Sequence, residues 1–307
     1  MEDRKLIAHG PSSLTVSLPS KWLKRQGLKK GDKVHLEEVE QGLMIKSLPS
    51  LTARSLASSL IGLSSQEIQT VLTQLYRRGY DELMLSYQTP GEYQAISSAI
   101  RNLAGLILME HGKQTCLVKA LPLQPEEKFS VLLRRVFLIL LHELEDLELA
   151  VASPPSLASF LPRDADVNAL INLGIRMVNK GYAKERVSEL HLFYFLLLLE
   201  EMGDDIVRFA IEAQASRGHL QELRRAVQYS REMVQLLYGL YFTKDKTLQD
   251  VYRRYYVFYP SDRPTSPPEI YLFFQKVLTK APEVFYLRGI VEKVVAVAEL
   301  LSVPERI

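Results

Sequence analysis

The sequence predicts a multidomain α+β protein, with a small β domain over residues 1–48, an α/β linker segment over 49–123 and an antiparallel helical bundle over 124–307. Three observations predict it. β-branched segments punctuated by turn residues fill the first stretch, helical and strand periods alternate through the second, and after Gln124 the chain is almost wholly helical. At 307 residues, 47% hydrophobic and 24% charged, the chain is long enough to bury more than one core.

In the first segment, Lys5-Leu-Ile-Ala, Leu14-Thr-Val-Ser-Leu, Lys33-Val-His-Leu-Glu-Glu-Val and Leu43-Met-Ile-Lys read as strands. Between the second and third, Pro19 opens and Gly27 closes one short helix, because proline is tolerated in a first turn and glycine just past the end. Gly31-Asp32 and Gln41-Gly42 mark turns. Four short strands leave exposed edges and little core, which favours pairing with a second copy.

Residues 47–65 are rich in Ser and Leu and read as a linker or crossover. A helix over 66–78, a strand over 80–87, a helix over 91–109 and a strand over 115–119 follow. The bundle then breaks at Ser153-Pro-Pro, Leu161-Pro-Arg, Gly181, Arg217-Gly218 and 259–268. Long helices with short connections imply antiparallel packing.

Composition excludes several classes. A net charge of +2 means that any affinity for nucleic acid must come from a local patch. A lone cysteine, Cys116, excludes an internal disulfide framework and fits a reducing compartment, taken here as the cytoplasm. The opening Met1-Glu-Asp-Arg-Lys-Leu lacks the basic and apolar regions of a secretory signal, and the apolar run 192–199 falls well short of the roughly 20 residues needed to cross a bilayer. None of the nucleophile-elbow, phosphate-loop, dinucleotide or paired-histidine zinc motifs occurs, so the chain reads as non-enzymatic.

Two clusters remain as candidate sites. From Pro19 to Lys33 the chain carries Lys21, Lys24, Arg25, Lys29, Lys30 and Lys33 against Asp32 alone, with Arg4 and Lys5 nearby in sequence. Such clustering suits phosphate contacts, although charge alone favours a solvated helix. In Glu200-Glu-Met-Gly-Asp-Asp205, Glu200 and Asp204 share one helical face while Glu201 and Asp205 share the adjoining one. Like charges at this spacing repel and invite a hard or borderline cation, although Arg208 can equally form an i,i+4 pair with Asp204. His142 and Asp146 are also four apart and could face this cluster.

From Ser13 to Val34, the order strand, Ser-Leu-Pro, short helix, Gly-Leu, Lys-Gly-Asp-x-Val, strand resembles the AbrB/MazE/SpoVT family. The resemblance implies a swapped-hairpin β-barrel formed by two interleaved chains, with Arg4, Lys5, Lys21, Lys24, Arg25, Lys29 and Lys30 contacting DNA. Where bacterial members carry paired arginines in the helix, this chain has Leu23-Lys24, with Arg25 displaced by one.

Leu199-Glu-Glu-Met-Gly-Asp-Asp-Ile-Val-Arg-Phe-Ala210 is similar to the Leu-Glu-x-Ile-Gly-Asp signature of PhoU proteins, regulators of phosphate uptake. Residues 126–216 match one PhoU repeat, and 219–302 look like a second, degenerate copy. The resemblance implies iron, zinc or a similar cation at Glu200 and Asp204, while the spacing adds Glu201 and Asp205, and the oxygen ligands manganese or magnesium, as candidates; it also implies a phosphate transporter or sensor protein at the membrane as partner. Arg288 stands where the second copy should have its glutamate, and Asp164 and Asn168 replace an expected acidic pair. The combination resembles archaeal PhoU-like phosphate uptake regulators, implying a homodimeric DNA-binding transcriptional regulator with a sensing or interaction body.

Overall fold

A computed structural model describes residues 3–10, 13–39, 42–47, 54–122, 129–150, 157–183, 187–215, 218–255 and 269–302. The chain is mixed α/β and divides into two compact units, Met1–Arg54 and Ser55–Ile307. Ten α-helices are present among the described residues, and most of the carboxy-terminal region is helical.

Among its described residues the first unit holds two antiparallel strand pairs and one helix. β1 (Ile7–Ala8) pairs β2 (Leu14–Thr15), and β3 (Val34–Val39) pairs β4 (Gly42–Ser47). α1 (Ser20–Gln26) starts after Pro19 and ends at Gly27, whose φ of 66° is the left-handed conformation that glycine adopts without a steric cost. The amides of Gly27 and Leu28 then return to the carbonyls of Lys24 and Leu23, satisfying groups that the helix end would leave orphaned. Gln41 of the expected Gln41-Gly42 turn lies outside the described residues.

The second unit opens with a four-stranded sheet of order β5-β6-β8-β7: β5 (Ser55–Ser59), β6 (Glu82–Ser86), β7 (Leu106–His111) and β8 (Thr115–Ala120). β5 and β6 are parallel, and the other two pairings are antiparallel. α2 (Ser65–Arg77) makes the parallel crossover, and α3 (Pro90–Arg101) joins β6 to β7. Both helices start with a capping box, Ser64 with Glu67 and Thr89 with Glu92. Leu60, Ile68, Leu72, Tyr76, Leu83, Leu85, Ile96 and Val118 form the core between these helices and one face of the sheet.

Two expectations are corrected here. Residues 55–59, read as linker, are strand β5: Ser-Leu-Ala-Ser-Ser has a period of two but only one large apolar residue, too little for a sequence signal. The helix expected to reach residue 109 stops at Arg101, and 106–111 is strand β7. Gly105, at φ +76°, separates them, and the apolar run Leu106-Ile-Leu-Met fits either period on its own.

The helical body follows: α4 (Phe129–Ala150), α5 (Leu157–Asn179), α6 (Glu189–Ala215), α7 (Leu220–Tyr238), α8 (Leu248–Tyr255), α9 (Glu269–Val277) and α10 (Val284–Leu301). α6 packs against α5 and α10, and α4 against α5 and α7, around one continuous apolar core. The break expected at Leu161-Pro-Arg is absent, because α5 runs through Pro162. A proline this near a helix start removes one internal hydrogen bond, which the buried turns beyond it outweigh. The break at Gly181 is present, with φ +72° and its amide bonded to the Val178 carbonyl. The expected breaks at 153–155 and 259–268 lie outside the described residues. α7 continues into a π-helical turn, Gly239–Thr243, which sets Tyr238, Tyr241 and Phe242 against Phe137 and Phe195.

A polar seam joins the α/β layer to this body. Arg176 of α5 is buried and donates to the carbonyls of Tyr76 (3.0 Å) and Tyr80 (2.8 Å) and to Asp81 (2.6 Å), with its guanidinium over the Tyr76 ring. Lys180 donates to the same carboxylate at 2.6 and 2.8 Å. A desolvated cation survives here because every direction from it meets an acceptor or an aromatic face.

Candidate nucleic-acid interface and acidic cluster

In the first unit α1 is two-faced. Lys21, Lys24 and Arg25, spaced three and four apart, are exposed on one side, while Trp22, Leu23 and Gln26 are half-buried on the other. The loop beyond Gly27 extends the cationic surface with exposed Lys29 and Lys30. It is tied by Asp32, which accepts from the Lys29 amide at 2.6 Å, while the Asp32 amide returns to the Lys29 carbonyl at 3.1 Å. The one acid of the segment is thus spent on the backbone. Among the described residues none of Lys21, Lys24, Arg25, Lys29 and Lys30 forms an ion pair. Arg4 and Lys5 are exposed immediately before β1.

Apolar side chains lie open on this unit: Leu6, Ile7, Leu14, Leu36 and Leu43 are each more than half exposed. Exposed apolar strand residues of this kind call for burial against another surface.

The acidic motif on α6 is divided by the helix between two surroundings. Glu200 receives Arg77 of α2 through two hydrogen bonds, at 2.8 and 2.9 Å, and Arg77 also donates to Asn172 at 2.6 Å. Burial nonetheless raises the Glu200 pKa above its ordinary value, with Arg77 opposing and Asp204 and Asp164 adding to the rise. Asp204 is bonded by Arg208 at 2.8 Å. On the adjoining stripe, buried Asp205 accepts from Lys293 of α10 at 2.7 Å, and exposed Glu201 lies 3.7 Å from the same ammonium. On α10 Arg288 and Glu292 pair with each other at 2.8 Å.

The sequence reading missed the most isolated carboxylate. Glu143 of α4 is fully buried, and neither carboxylate oxygen has a hydrogen-bond partner. Burial, and next the charge of Asp164, push its pKa up to about 8; Arg163 opposes this and Asp146 adds to it. Asp164 Oδ1 and Asn168 Oδ1 are likewise buried without partners, and burial with Asp204 raises the Asp164 pKa. The available signal was periodic. Glu143 falls on the α4 stripe that includes Val136, Leu140, Leu144 and Leu147, where a charge is out of place. His142, expected near this cluster, is exposed one residue away, and Asp146 pairs with Arg163.

These carboxylates do not assemble a metal centre. Among the described residues no group of three or more His, Cys, Asp or Glu side chains could hold a metal ion. The four motif residues are instead partnered by Arg77, Arg208 and Lys293, so the arrangement favours ion pairs from within the chain over a bound cation. No helix among the described residues is long and apolar enough to cross a membrane.

The geometry therefore defines a two-part protein, a small β unit with a cationic helix followed by a larger body of sheet and helices. Residues 8–51 match the family described as antidote-toxin recognition MazE, bacterial antitoxin, so the first unit carries a MazE/AbrB-type domain. That domain is consistent with a DNA-binding regulator or an antitoxin-type function. No curated protein and no solved structure matched the chain.

Proposed function

We propose that this chain is a non-enzymatic, homodimeric DNA-binding transcriptional regulator of the cytoplasm. Its first unit interleaves with that of a second copy to form a swapped-hairpin barrel. Lys21, Lys24, Arg25, Lys29 and Lys30 line the DNA-facing surface, with Arg4 and Lys5 at its margin. The observation that carries the reading is the combination of a family-matched unit, apolar side chains left exposed on it, and a cationic helix face that forms no ion pair among the described residues. A twofold pair duplicates that surface, which suits a palindromic site.

The helical body, with its resemblance to PhoU repeats, would sense a signal or dock on a phosphate transporter or sensor protein, linking the regulator to phosphate uptake. The matched family's description favours a second reading, in which the first unit serves an antitoxin and the protein partner is a toxin.

Fluorescence anisotropy on duplex DNA across a salt series tests the DNA-binding reading. Each lost phosphate contact lowers the slope of log affinity against log salt by about 0.9. The triple variant Lys24→Glu, Lys29→Glu, Lys30→Glu should therefore lose roughly 3 units of slope per protomer and most of its affinity. Unchanged binding would overturn the assignment of these residues.

A further inference from the structure

Helix α4 carries two stripes. Leu133, Val136, Leu140, Leu144 and Leu147 enter the core of the helical body. The opposite stripe, Val131, Arg135, Leu138, His142, Glu145 and Leu149, is exposed along its whole length. Its steps alternate four and three residues, the spacing of a coiled-coil seam rather than of apolar residues scattered singly. Val131, Leu138 and Leu149 are 64%, 49% and 71% exposed.

The charges around the stripe differ in whether they are already met. On one flank Asp146 pairs with Arg163 of α5, and exposed Asp166 follows one turn beyond that arginine. On the other flank Glu148 meets Arg231 of α7 at 3.0 Å and Arg224 at 4.0 Å, while Arg134 lies over the Phe242 ring. Within the stripe the cation stands in the first half and the anion in the second. Among the described residues neither Arg135 nor Glu145 forms an ion pair.

We propose that this outer stripe of α4 packs antiparallel against the same stripe of a second copy of the chain, about a twofold axis level with residue 140. The axis sets Val131 opposite the other copy's Leu149, Arg135 opposite its Glu145 and Leu138 opposite its His142. Every member of the stripe thus finds its counterpart in the same stripe reversed: apolar meets apolar at the two ends, and cation meets anion between them. A surface complementary to its own reverse fits the isologous contact of two copies. A parallel pair would set Arg135 on Arg135 and Glu145 on Glu145, so charge also selects the direction. This contact lies in the second unit and does not depend on the pairing of the first.

The test uses the full chain. Sedimentation equilibrium compares the parent with Arg135→Glu, with Glu145→Arg and with the double exchange. Each single reversal creates two like-charged pairs across the twofold and should weaken the dissociation constant roughly tenfold. The double exchange should restore it, which damage to the fold would not do. Oxidative trapping then reads the direction. Val131 and Leu149 lie about 27 Å apart along one helix, so cysteines at both cannot close within a chain. Val131→Cys with Leu149→Cys should yield a covalent dimer, and either single variant none; native Cys116 is buried and stays silent.

A dissociation constant unmoved by either reversal, or no covalent dimer from the paired cysteines, overturns the proposal, and a parent still dimeric in that case leaves the first-unit pairing standing. Covalent dimers from the single variants would mean parallel or passing contact and overturn it too. A parent that is monomeric throughout overturns both this contact and the first-unit dimer.

Discussion

Replacing Glu143 by Gln should stabilise this protein, and by more as the pH rises. In an unfolded chain the carboxyl titrates near its ordinary 4.5, whereas in the fold burial lifts it to about 8. Folding therefore takes up a proton between these values, and the pH dependence follows. The contribution to stability is fully present below about pH 4.5, is lost progressively as pH rises toward 8, and levels off above. At about 1.4 kcal/mol per pH unit, holding this group neutral costs on the order of 3 kcal/mol at pH 7. Gln has almost the same volume and helix propensity and no proton to lose, although its amide still needs partners in the core. The net gain expected at pH 8 is thus about 1–3 kcal/mol, shrinking to near zero by pH 5. Urea unfolding of parent and variant at pH 5, 6, 7 and 8 measures it. A variant less stable than the parent at pH 8, with the difference abolished by a chelator, would refute the reasoning. It would mean that Glu143 is ionised and holds a cation with Asp164.

Arg176→Met should destabilise the protein by about 3 kcal/mol, since it strips two carbonyls and a largely buried carboxylate of a donor. Lys180 still satisfies part of Asp81. Denaturant unfolding should then broaden or split as the α/β layer separates from the helices, and a single sharp transition at unchanged midpoint would speak against the seam. Gly289→Ala places a Cβ 2.8 Å from Asp205 Oδ2 and 3.5 Å from Lys293 Nζ, which should cost about 1–3 kcal/mol of thermal stability. A melting temperature equal to the parent's would show that α6 and α10 approach less closely than described.

Local signals made much of the architecture legible. Pro19 and Gly27 bracket α1, the helical period places α2 near 66–78 and the start of α3 near 91, and Gly181 ends α5 as expected. What escaped was decided by tertiary contact. β5 has almost no apolar content and is a strand because Glu82–Ser86 lies beside it, and Leu106–His111 chooses strand over helix because β8 pairs it. The acidic motif shows the same limit. Spacing put Glu200 with Asp204 and Glu201 with Asp205, but the partners that neutralise them include Arg77 and Lys293, each about 90 or more residues away in the chain. Glu143 went unnoticed because a glutamate in a helix reads as solvent-facing until its neighbours on the stripe are all found buried.

The apolar side chains left exposed on the first unit, Leu6, Ile7, Leu14, Leu36 and Leu43, bear on how much protein must be present before it works. A fold that gains its interior only by association has a stability set by protomer concentration rather than by sequence alone. If the first unit pairs as proposed, it would lose its structure below the association midpoint, while the larger unit has two cores of its own. Occupancy of a DNA site would then rise more steeply than in proportion to total protein, giving a dose threshold without any effector. Dilution or partial degradation would switch such a protein off.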